Sequence, residues 1–407
     1  MAIRHVTPDN LKETTSDLSP LFSGAARLAA GIRVGTAMVT LPNGITLKFG
    51  GIEPGPHGAI VLHNDGLAKK TLQRGAIGVA ESYLAGEWST DNLTDFLEVF
   101  CHNPNLINDM MKGKPLLRAY LNFRHWMNRN SRKGSERNIY AHYDLGNQFY
   151  EKWLDPSMTY SSAIFEEPEA DLTAAQTAKF GALANQIHLE PDNQVLEIGC
   201  GWGGFAEYAA KERGANVTGI TISREQFDYA KKRIFDAGLN EKVEIRLQDY
   251  RDTTGGFDRI ASIEMFEAVG EKYWPTFFDT VAERLKPGGR AGMQVITIQD
   301  SMFDDYRKNP DFIQKYVFPG GMLPSPSVLR SVAERSGLRF DAERIFGHDY
   351  ARTLADWRDR FRGAWPEIVP LGFDERFRRL WEFYLAYCEA GFRARNIDVR
   401  QVVFSRP

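Results

Sequence analysis

From about residue 135 to the C-terminus, hydrophobic and polar residues follow two alternating periods. Short runs rich in Val, Ile and Leu predict strands at 194–198, 216–221, 243–247, 259–262 and 290–298. Between these runs, apolar residues at helical spacing predict helices at 204–212, 224–237 and 273–285. A regular alternation of strand and helix is typical of a parallel sheet with helices on its faces. We therefore predict an α/β domain in this part of the chain.

The first 110 residues have a different pattern. Two β-rich runs within residues 36–49 flank Pro42, Asn43 and Gly44, and they predict a hairpin because Asn-Gly accepts positive φ. The remaining elements predicted here are a strand at 59–63 and helices at 67–74 and 92–100, the last with Asp91 as its N-cap. No catalytic pattern occurs in this region. We predict a small α+β domain over residues 1–110 that serves in packing or docking.

Residues 111–137 form a predicted linker that is strongly basic. Its cations are Lys112, Lys114, Arg118, Arg124, Arg129, Arg132, Lys133 and Arg137, and Glu136 is its one acid. Aromatic residues such as Tyr120, Phe123 and Trp126 lie between the cations. This combination suits a lipid headgroup region, where charges meet anionic lipids and rings lie at the interface. The alternative is a linker with a solvated basic face.

Composition adds limits to this picture. A length of 407 residues favours two domains and a linker, and a net charge of −3 argues against nucleic-acid binding. Cys101, Cys200 and Cys388 are too far apart for a disulfide framework or a metal site, so we expect a reducing compartment. No apolar run reaches the roughly 20 residues of a membrane span. The first residues do not have a signal-peptide pattern, so we expect the protein to stay where it is made.

The strongest local motif is VLEIGCGWGG at residues 195–204, where a buried strand runs into a glycine loop. Glycines allow a ligand to approach the backbone closely, and the following helix offers free N–H groups. The order G-C-G-W-G-G, preceded by Glu197, differs from the dinucleotide fingerprint G-x-G-x-x-G. It resembles the first loop of Rossmann-like methyltransferases. That resemblance places the amino-acid end of S-adenosylmethionine over Gly199, Gly201 and Gly203.

Further features in chain order support the same cofactor. Thr221, Ser223 and Gln226 close the second strand, where a nucleoside ribose would lie in such a fold. After the third strand, Asp249 can accept a hydrogen bond from the adenine amino group while Tyr250 packs on the ring. Residues 257–270 read as the fourth strand with its exit loop, and LKPGG at 285–289 as the turn before the next strand. We predict an S-adenosylmethionine-dependent enzyme.

Longer blocks resemble the cyclopropane fatty acid synthases and the related mycolic acid methyltransferases. The blocks lie at residues 142–165, 195–210, 262–274, 312–325, 348–361 and 392–407. The resemblance implies a Rossmann-like class I methyltransferase domain over 138–407 with a mostly parallel seven-stranded sheet. It also implies that Tyr160 and Ser161 lie at the cofactor. The additional N-terminal domain resembles that of the bacterial synthases that modify intact phospholipids, and it would serve in lipid docking or dimer packing.

The family's activity gives an expected reaction. The methyl group of S-adenosylmethionine is transferred to a cis double bond of an unsaturated phospholipid acyl chain. A bound bicarbonate ion then removes a proton from the cationic intermediate, and a cyclopropane ring closes. The resemblance further implies a homodimer in the cytoplasm, peripherally associated with the inner face of the membrane. Neither a metal ion nor a nucleic acid is expected as a partner.

The resemblance carries over to the bicarbonate site with changes. Glu267, Tyr350 and Ile296 match the family's residues. Ser162 stands where the synthases have Cys, Gln294 where they have His, and Ala268 replaces another His of the family. A neutral amide gives weaker hydrogen bonds to an anion than a charged imidazole does. The alternative product is therefore a methyl-branched unsaturated chain, formed without ring closure.

Aromatic side chains can stabilise both the sulfonium and the developing cation. The candidates are Phe165, Tyr250, Phe266, Trp274 and Tyr316, although core packing is the more common role of such residues. Two other functions compete with lipid methylation. One is methylation of a soluble small molecule, if the linker and the N-terminal domain are only structural. The other is a non-catalytic lipid-binding protein, suggested by Gln294 and Ala268.

Overall fold

The computed structural model describes residues 3–104, 106 and 145–407. They form two compact units. The first contains the described residues of 1–124 together with 309–317 and 369–396, and the second contains those of 125–308, 318–368 and 397–407. The predicted linker at 111–137 lies outside the described residues.

Both units contain helices and strands. The helices are α1 (Leu11–Thr14), α2 (Pro20–Ala29), α3 (Gly66–Arg74), α4 (Ala76–Leu84), α5 (Leu93–Cys101), α6 (Asn147–Tyr150), α7 (Leu172–Gln186), α8 (Gly204–Arg213), α9 (Arg224–Asp236), α10 (Trp274–Arg284), α11 (Asp300–Lys308), α12 (Phe312–Tyr316), α13 (Pro326–Arg335), α14 (Gly347–Ile368) and α15 (Glu375–Arg393). The strands are β1 (Ile3–Val6), β2 (Val34–Thr40), β3 (Thr46–Gly50), β4 (Glu53–Leu62), β5 (Trp88–Ser89), β6 (Gln194–Ile198), β7 (Asn216–Thr221), β8 (Val243–Leu247), β9 (Phe257–Ile263), β10 (Leu285–Ile298), β11 (Arg339–Ile345) and β12 (Ile397–Ser405). Short 3₁₀ turns occupy Tyr250–Asp252, Phe266–Ala268, Glu271–Tyr273 and Val369–Leu371.

The first unit contains a sheet with the order β1-β3-β2-β4-β5 among its described residues. The predicted hairpin is confirmed, since β2 and β3 pair antiparallel and Gly44 between them has a φ of 84°. The predicted N-cap Asp91 is wrong. Asn92 caps α5, because its side-chain oxygen accepts the backbone N–H of Asp95 at 3.1 Å.

Helix α15 packs with the N-terminal helices, which makes the first unit discontinuous in sequence. Tyr83 donates to Glu382 at 3.2 Å, and Thr94 donates to Glu389 Oε2 at 2.9 Å. Both glutamates are buried on α15, so these bonds bring that helix into the same unit as α4 and α5. The predicted continuous domain 138–407 therefore differs from the observed units, because 309–317 and 369–396 pack with the N-terminal residues.

Tyr316, one of the aromatic candidates, belongs to the first unit. Its hydroxyl donates to Glu81 Oε1 at 2.6 Å, and Lys315 contacts the same oxygen at 2.7 Å. Burial opposes the charge of Glu81, but hydrogen bonds from Lys315, Tyr316 and Arg74 lower its pKa to about 2. Tyr316 thus takes part in a structural ion-pair cluster.

The second unit contains a seven-stranded sheet, within residues 145–407, with the order β11-β12-β10-β9-β6-β7-β8. Strands β8, β7, β6, β9 and β10 are parallel neighbours, and β12 is antiparallel to β10 and β11. The predicted Rossmann-like fold is confirmed. The predicted LKPGG turn lies inside β10, where pairing with β9 shifts register between Leu285 and Arg290.

The strand order of this sheet reverses at β6. β6 lies between β7 and β9, and the glycine loop leaves its carboxyl end. Ligands of α/β sheets bind at this position. Within the described residues, no helix combines the length and the apolar character that crossing a membrane requires. Residues 3–104, 106 and 145–407 also contain no group of three or more His, Cys, Asp or Glu suited to a metal ion.

Candidate active site

The glycine loop after β6 leaves room for a ligand next to its backbone. Gly199, Gly201 and Gly203 have φ values of 80°, 52° and 84°, which side-chain-bearing residues rarely adopt. A Cβ at Gly201 would meet no atom within 4 Å, so open space lies beside the loop. A Cβ at Gly199 would lie 2.5 Å from Met265 Cγ. Backbone conformation and space both match the predicted position of the cofactor's amino-acid end.

Glu197 on β6, the strand that leads into this loop, is an acidic residue with an unsatisfied hydrogen-bond acceptor. Its side chain is buried, and Oε2 has no hydrogen-bond partner among the described residues. Burial raises the pKa of Glu197 to about 8, although the N–H of Ala206 acts in the opposite direction. A cationic ammonium group would supply the missing partner and favour the ionised carboxylate. Together, Glu197 and the open glycine loop fit S-adenosylmethionine.

The ends of β7 and β8 hold the other predicted cofactor residues. Thr221 donates to the Gln226 side chain at 2.9 Å and accepts the N–H of Ser223 at 3.1 Å, and all three residues are buried. The carboxylate of Asp249 accepts the N–H and the Nε of Arg251, each at 2.9 Å. Asp249 is therefore held by a cation within its own turn, and its predicted contact with adenine stays a prediction.

A buried loop at residues 160–163 faces the same edge of the sheet. Lys179 Nζ donates to Ser161 Oγ at 2.6 Å, and Gln176 donates to the Ser161 carbonyl at 2.9 Å. Burial lowers the pKa of Lys179 to about 7, while the carboxylates of Glu264, Asp155 and Glu197 raise it. Lys179 is fully buried and was not among the predicted site residues. It fixes the loop that carries Tyr160, Ser161 and Ser162.

Glu264, which was not among the predicted site residues, is the centre of a hydrogen-bond network at this edge. Its Oε1 accepts the Ser162 N–H and Gln294 Nε2, both at 2.8 Å. The hydroxyl of Tyr350 donates to Oε2 at 2.6 Å. Burial raises the pKa of Glu264, and the bonds from Tyr350, Gln294 and Ser162 oppose this rise. Three of the residues predicted to hold bicarbonate therefore hold this carboxylate.

Glu267 is a second carboxyl group beside this network, and its hydrogen-bond partners differ from those of Glu264. Its Oε1 accepts the N–H of Ile296 at 2.5 Å, and its Oε2 is buried with no hydrogen-bond partner in the described part of the chain. Burial, followed by the charge of Glu264, raises the pKa of Glu267 to about 8. Two carboxylates close to one another favour a state in which one of them is protonated. At neutral pH that one is Glu267.

The Gln294 side chain is oriented from behind by a second amide. Gln401 Nε2 donates to Gln294 Oε1 at 3.2 Å, and this leaves Gln294 Nε2 to donate to Glu264 and to the Ser162 carbonyl at 3.1 Å. Gln186 in turn donates to Gln401 Oε1 at 2.6 Å. Gln401 and Gln294 are fully buried. This chain of amides fixes which end of Gln294 faces the carboxylate.

Aromatic rings connect the glycine loop with Tyr350. The Tyr150 ring lies 5.1 Å from Trp202 in the loop and 5.3 Å from Tyr160. Trp357 lies 5.2 Å from Tyr160 and 6.1 Å from Tyr350. These rings border the loop and the carboxylate network, where π faces can stabilise positive charge. Tyr150, Trp202 and Trp357 were not among the predicted aromatic residues.

The predicted aromatic candidates have other surroundings. Phe266 stacks on Trp274 at 5.4 Å inside the hydrophobic core, so both serve in packing. Tyr250 meets Phe277 edge to face at 5.3 Å. The guanidinium of Arg352 lies 3.8 Å from the centre of the Phe165 ring. The Ser162 hydroxyl also departs from its predicted role, because it donates to the Ala163 carbonyl and only the backbone N–H reaches a carboxylate.

Bicarbonate does not fit this site. The predicted donors from Gln294 and Tyr350 are bonded to Glu264, as is the Ser162 N–H, and the N–H of Ile296 is bonded to Glu267. The Ser162 hydroxyl is bonded to the Ala163 carbonyl. An added anion would meet the Glu264 carboxylate and would have to displace existing bonds. Repulsion between like charges in a buried site makes this unfavourable.

Comparisons with known proteins agree with the geometry. The sequence model of the family described as mycolic acid cyclopropane synthetase matches residues 130–402. The tuberculostearic acid methyltransferase UfaA1 of Mycobacterium tuberculosis is 40% identical over 366 residues, covering 86% of this chain and 84% of the relative. The cyclopropane-fatty-acyl-phospholipid synthase of Escherichia coli is 40% identical over 357 residues, covering 85% and 87%.

A solved structure gives the same result for the fold and the cofactor. The mycolic acid cyclopropane synthase CmaA1 in complex with SAH and CTAB aligns with a TM-score of 0.63 and 28% identity. The alignment covers 67% of this chain and 98% of that chain. The open glycine loop with Glu197 is the feature of this chain that suits such a cofactor. The chain belongs to the mycolic acid cyclopropane synthetase family and is an S-adenosylmethionine-dependent methyltransferase.

Proposed function

We propose that the enzyme methylates a cis double bond in an acyl chain of an unsaturated phospholipid. Its family and relatives indicate methylation or cyclopropanation of lipid acyl chains. The two relatives at 40% identity align with more of this chain than residues 130–402, and one is named as an acyl-phospholipid synthase. This extended similarity supports an intact phospholipid as the acceptor.

Different residues of the second unit bind the cofactor and stabilise positive charge in this reaction. When bound, S-adenosylmethionine supplies an electrophilic methyl group, which a weakly nucleophilic alkene requires. Glu197 and the glycine loop hold the cofactor's amino-acid end, and Thr221 and Gln226 lie where its ribose would be held. The rings of Tyr160 and Trp357 stabilise positive charge on the lipid. The carboxylate network lies beyond these rings, in contact with Tyr350.

For the product, we propose a methyl-branched unsaturated chain. The observation that carries this choice is that Glu264 and Glu267 occupy the donors of Gln294, Tyr350 and Ile296 that were predicted for bicarbonate, the ion associated with ring closure in the family. A cyclopropane is the second candidate, and the name of the Escherichia coli relative favours it. The two products differ in where the electron pair of the broken C–H bond goes. It forms a π bond in the branched chain and a third C–C bond in the ring.

The purified full chain, incubated with S-adenosylmethionine and vesicles of an unsaturated phospholipid, tests both parts of the proposal. Vesicles of the saturated phospholipid with the same headgroup are the control. We expect a mass gain of one methylene on the unsaturated acyl chains alone, with olefinic protons retained in the NMR spectrum. Upfield cyclopropyl protons would replace the branched product by the ring. Turnover on soluble acceptors without any on vesicles would overturn the lipid acceptor.

Two further expectations are proposals of the same kind. Work on intact phospholipid requires the enzyme to meet a membrane surface, and the basic, aromatic sequence of residues 111–137 supports this. Sedimentation with anionic against neutral vesicles measures that association. The homodimer is measured by light scattering of the full chain.

A further inference from the structure

The carboxylate of Glu264 is fixed in position by its hydrogen bonds. The residue is partly buried, and its two carboxylate oxygens accept three hydrogen bonds, from a backbone amide, a side-chain amide and a phenol. Its own N–H donates to the Gln294 carbonyl at 2.8 Å, so backbone and side chain are both anchored to β10. A carboxylate fixed in this way has one orientation relative to the cofactor edge.

The backbone at Glu264 is also in an unfavourable conformation. Its φ is 48°, in the left-handed region that glycine adopts most readily. Such a conformation at another residue costs about 1–3 kcal/mol and is concentrated at functional sites. The strand β9 ends at Ile263, so this turn directs Glu264 into the network and not along the strand. Its placement is therefore maintained against both strain and desolvation.

We propose that Glu264 is the catalytic base of this enzyme and takes the place of a bound bicarbonate ion. The inference rests on the proposed methylation of a lipid alkene. In that reaction a C–C bond forms from the alkene electron pair as the S–C bond breaks, and the neighbouring carbon becomes electron-deficient. Glu264 accepts a proton from the cationic lipid, and the C–H electron pair forms the new π bond or closes the ring. The proton leaves to solvent after product release.

The neighbouring groups are arranged for this transfer. Tyr350, Gln294 and the Ser162 N–H stabilise the carboxylate before it accepts the proton. Glu267 is neutral at neutral pH, so the site has one negative charge to meet the cation. In this arrangement the reaction needs no external base.

Bicarbonate depletion gives the first test. Activity of the full chain on unsaturated phospholipid vesicles is measured in CO₂-free buffer and again after bicarbonate is added. We expect equal rates in the two conditions. A rate that falls on depletion and returns with bicarbonate would overturn the proposal. If the enzyme has no activity on unsaturated lipid in either condition, the proposed function fails, which is a distinct result.

Two substitutions at Glu264 give the second test. Glu264→Gln keeps the volume and removes the base, and we expect kcat to fall by about a hundredfold or more. Glu264→Gly suits the φ of 48° and opens the pocket, so its lost activity should be restored several-fold by bicarbonate or formate. Binding of S-adenosylhomocysteine, measured by calorimetry, should match the wild type in both variants.

The matched control is Glu244→Gln on the edge strand β8, where the carboxylate is exposed and paired with Arg246. It should retain wild-type activity. Should Glu264→Gly fail to fold, the Gln variant decides the question. A folded Glu264→Gln enzyme with more than a tenth of wild-type kcat would refute the role of Glu264 as base.

Discussion

Glu197 is a buried carboxylate and Glu264 a partly buried one, each associated with one of two neighbouring parallel strands, and their hydrogen-bond surroundings differ. Glu197 lies on β6 with an oxygen that has no partner in the described residues, and Glu264 directly follows β9 with three donors around it. Burial raises the pKa of both. The comparison teaches that a carboxylate with an unpartnered oxygen suits a cationic ligand, whereas one held by three donors is fixed in position by the chain itself.

The largest effect that would break this comparison is expected at Glu197. Glu197→Gln removes the charge that would meet the cofactor's ammonium group. We expect the Kd of S-adenosylmethionine to rise about a hundredfold, about 3 kcal/mol, as for loss of a hydrogen bond to a charged group. Titration calorimetry measures this. Without ligand the variant should be at least as stable as the wild type near neutral pH, because burial raises the pKa of Glu197 to about 8 and its ionisation in the unfolded chain favours unfolding. Unchanged affinity would contradict the assigned role.

The next effect concerns stability and Glu267. Its pKa of about 8 in the folded protein lies above the ordinary value of 4.5, so the folded state binds a proton that the unfolded chain releases between these pH values. This stabilisation is complete below pH 4.5 and is lost as the pH rises through 8. Relative to Glu267→Gln, the wild type should lose about 1.4 kcal/mol of unfolding free energy per pH unit in that window.

Urea unfolding of both proteins at several pH values from 5 to 8 measures the difference. The subtraction matters, because Glu197 and Lys179 also have shifted pKa values and are common to the two proteins. A constant difference across the window would show that Glu267 is ionised in the folded enzyme.

Tyr350→Phe should have a smaller effect, which acts through Glu264 and leaves Glu197 unchanged. The phenol donates to Glu264 at 2.6 Å and lowers the pKa of that carboxyl. Without it, we expect kcat to fall about tenfold, about 1.4 kcal/mol, and the acid limb of the pH–rate profile to move to higher pH. The Kd of the cofactor should stay at the wild-type value. An acid limb that moves to lower pH would be the contrary result.

The smallest predicted effect is at Gln401, which contacts Gln294 on the side away from Glu264. Gln401→Met removes the donor that orients Gln294, and we expect about a threefold fall in kcat with the acid limb again at higher pH. Gln186→Met is the matched control, because it removes the bond to Gln401 Oε1 and leaves the donor to Gln294 in place. Identical pH profiles for the two variants would make Gln401 merely structural.

The sequence predicts the fold well because the relevant signals are local. Strand runs and the glycine loop depend on neighbouring residues, and the strand predicted at 194–198 has the observed bounds of β6. The discontinuous first unit was not predictable in this way. Its contacts, such as that of Thr94 with Glu389, join residues almost 300 positions apart.

The candidate site was predicted in part, for the same physical reason. Ser162, Gln294 and Tyr350 do converge, but Glu264 was overlooked although it stands three residues before Glu267. An acidic residue directly after a buried strand, at the ligand-binding edge, was the available signal. Lys179 also had a signal in the sequence, since it is the only charged residue of helix Leu172–Gln186. Gln401 had none, because its partner is 107 residues away.

The left-handed backbone at Glu264 has a consequence at the level of the gene. Both glutamate codons become glycine codons through a single change in the second base. Glycine takes up the existing φ of 48° without strain, so one point mutation exchanges the side chain while the turn keeps its shape. A lineage of such enzymes can therefore gain or lose an internal base in one mutational step. Dependence on dissolved carbon dioxide is thus an evolvable trait in this fold.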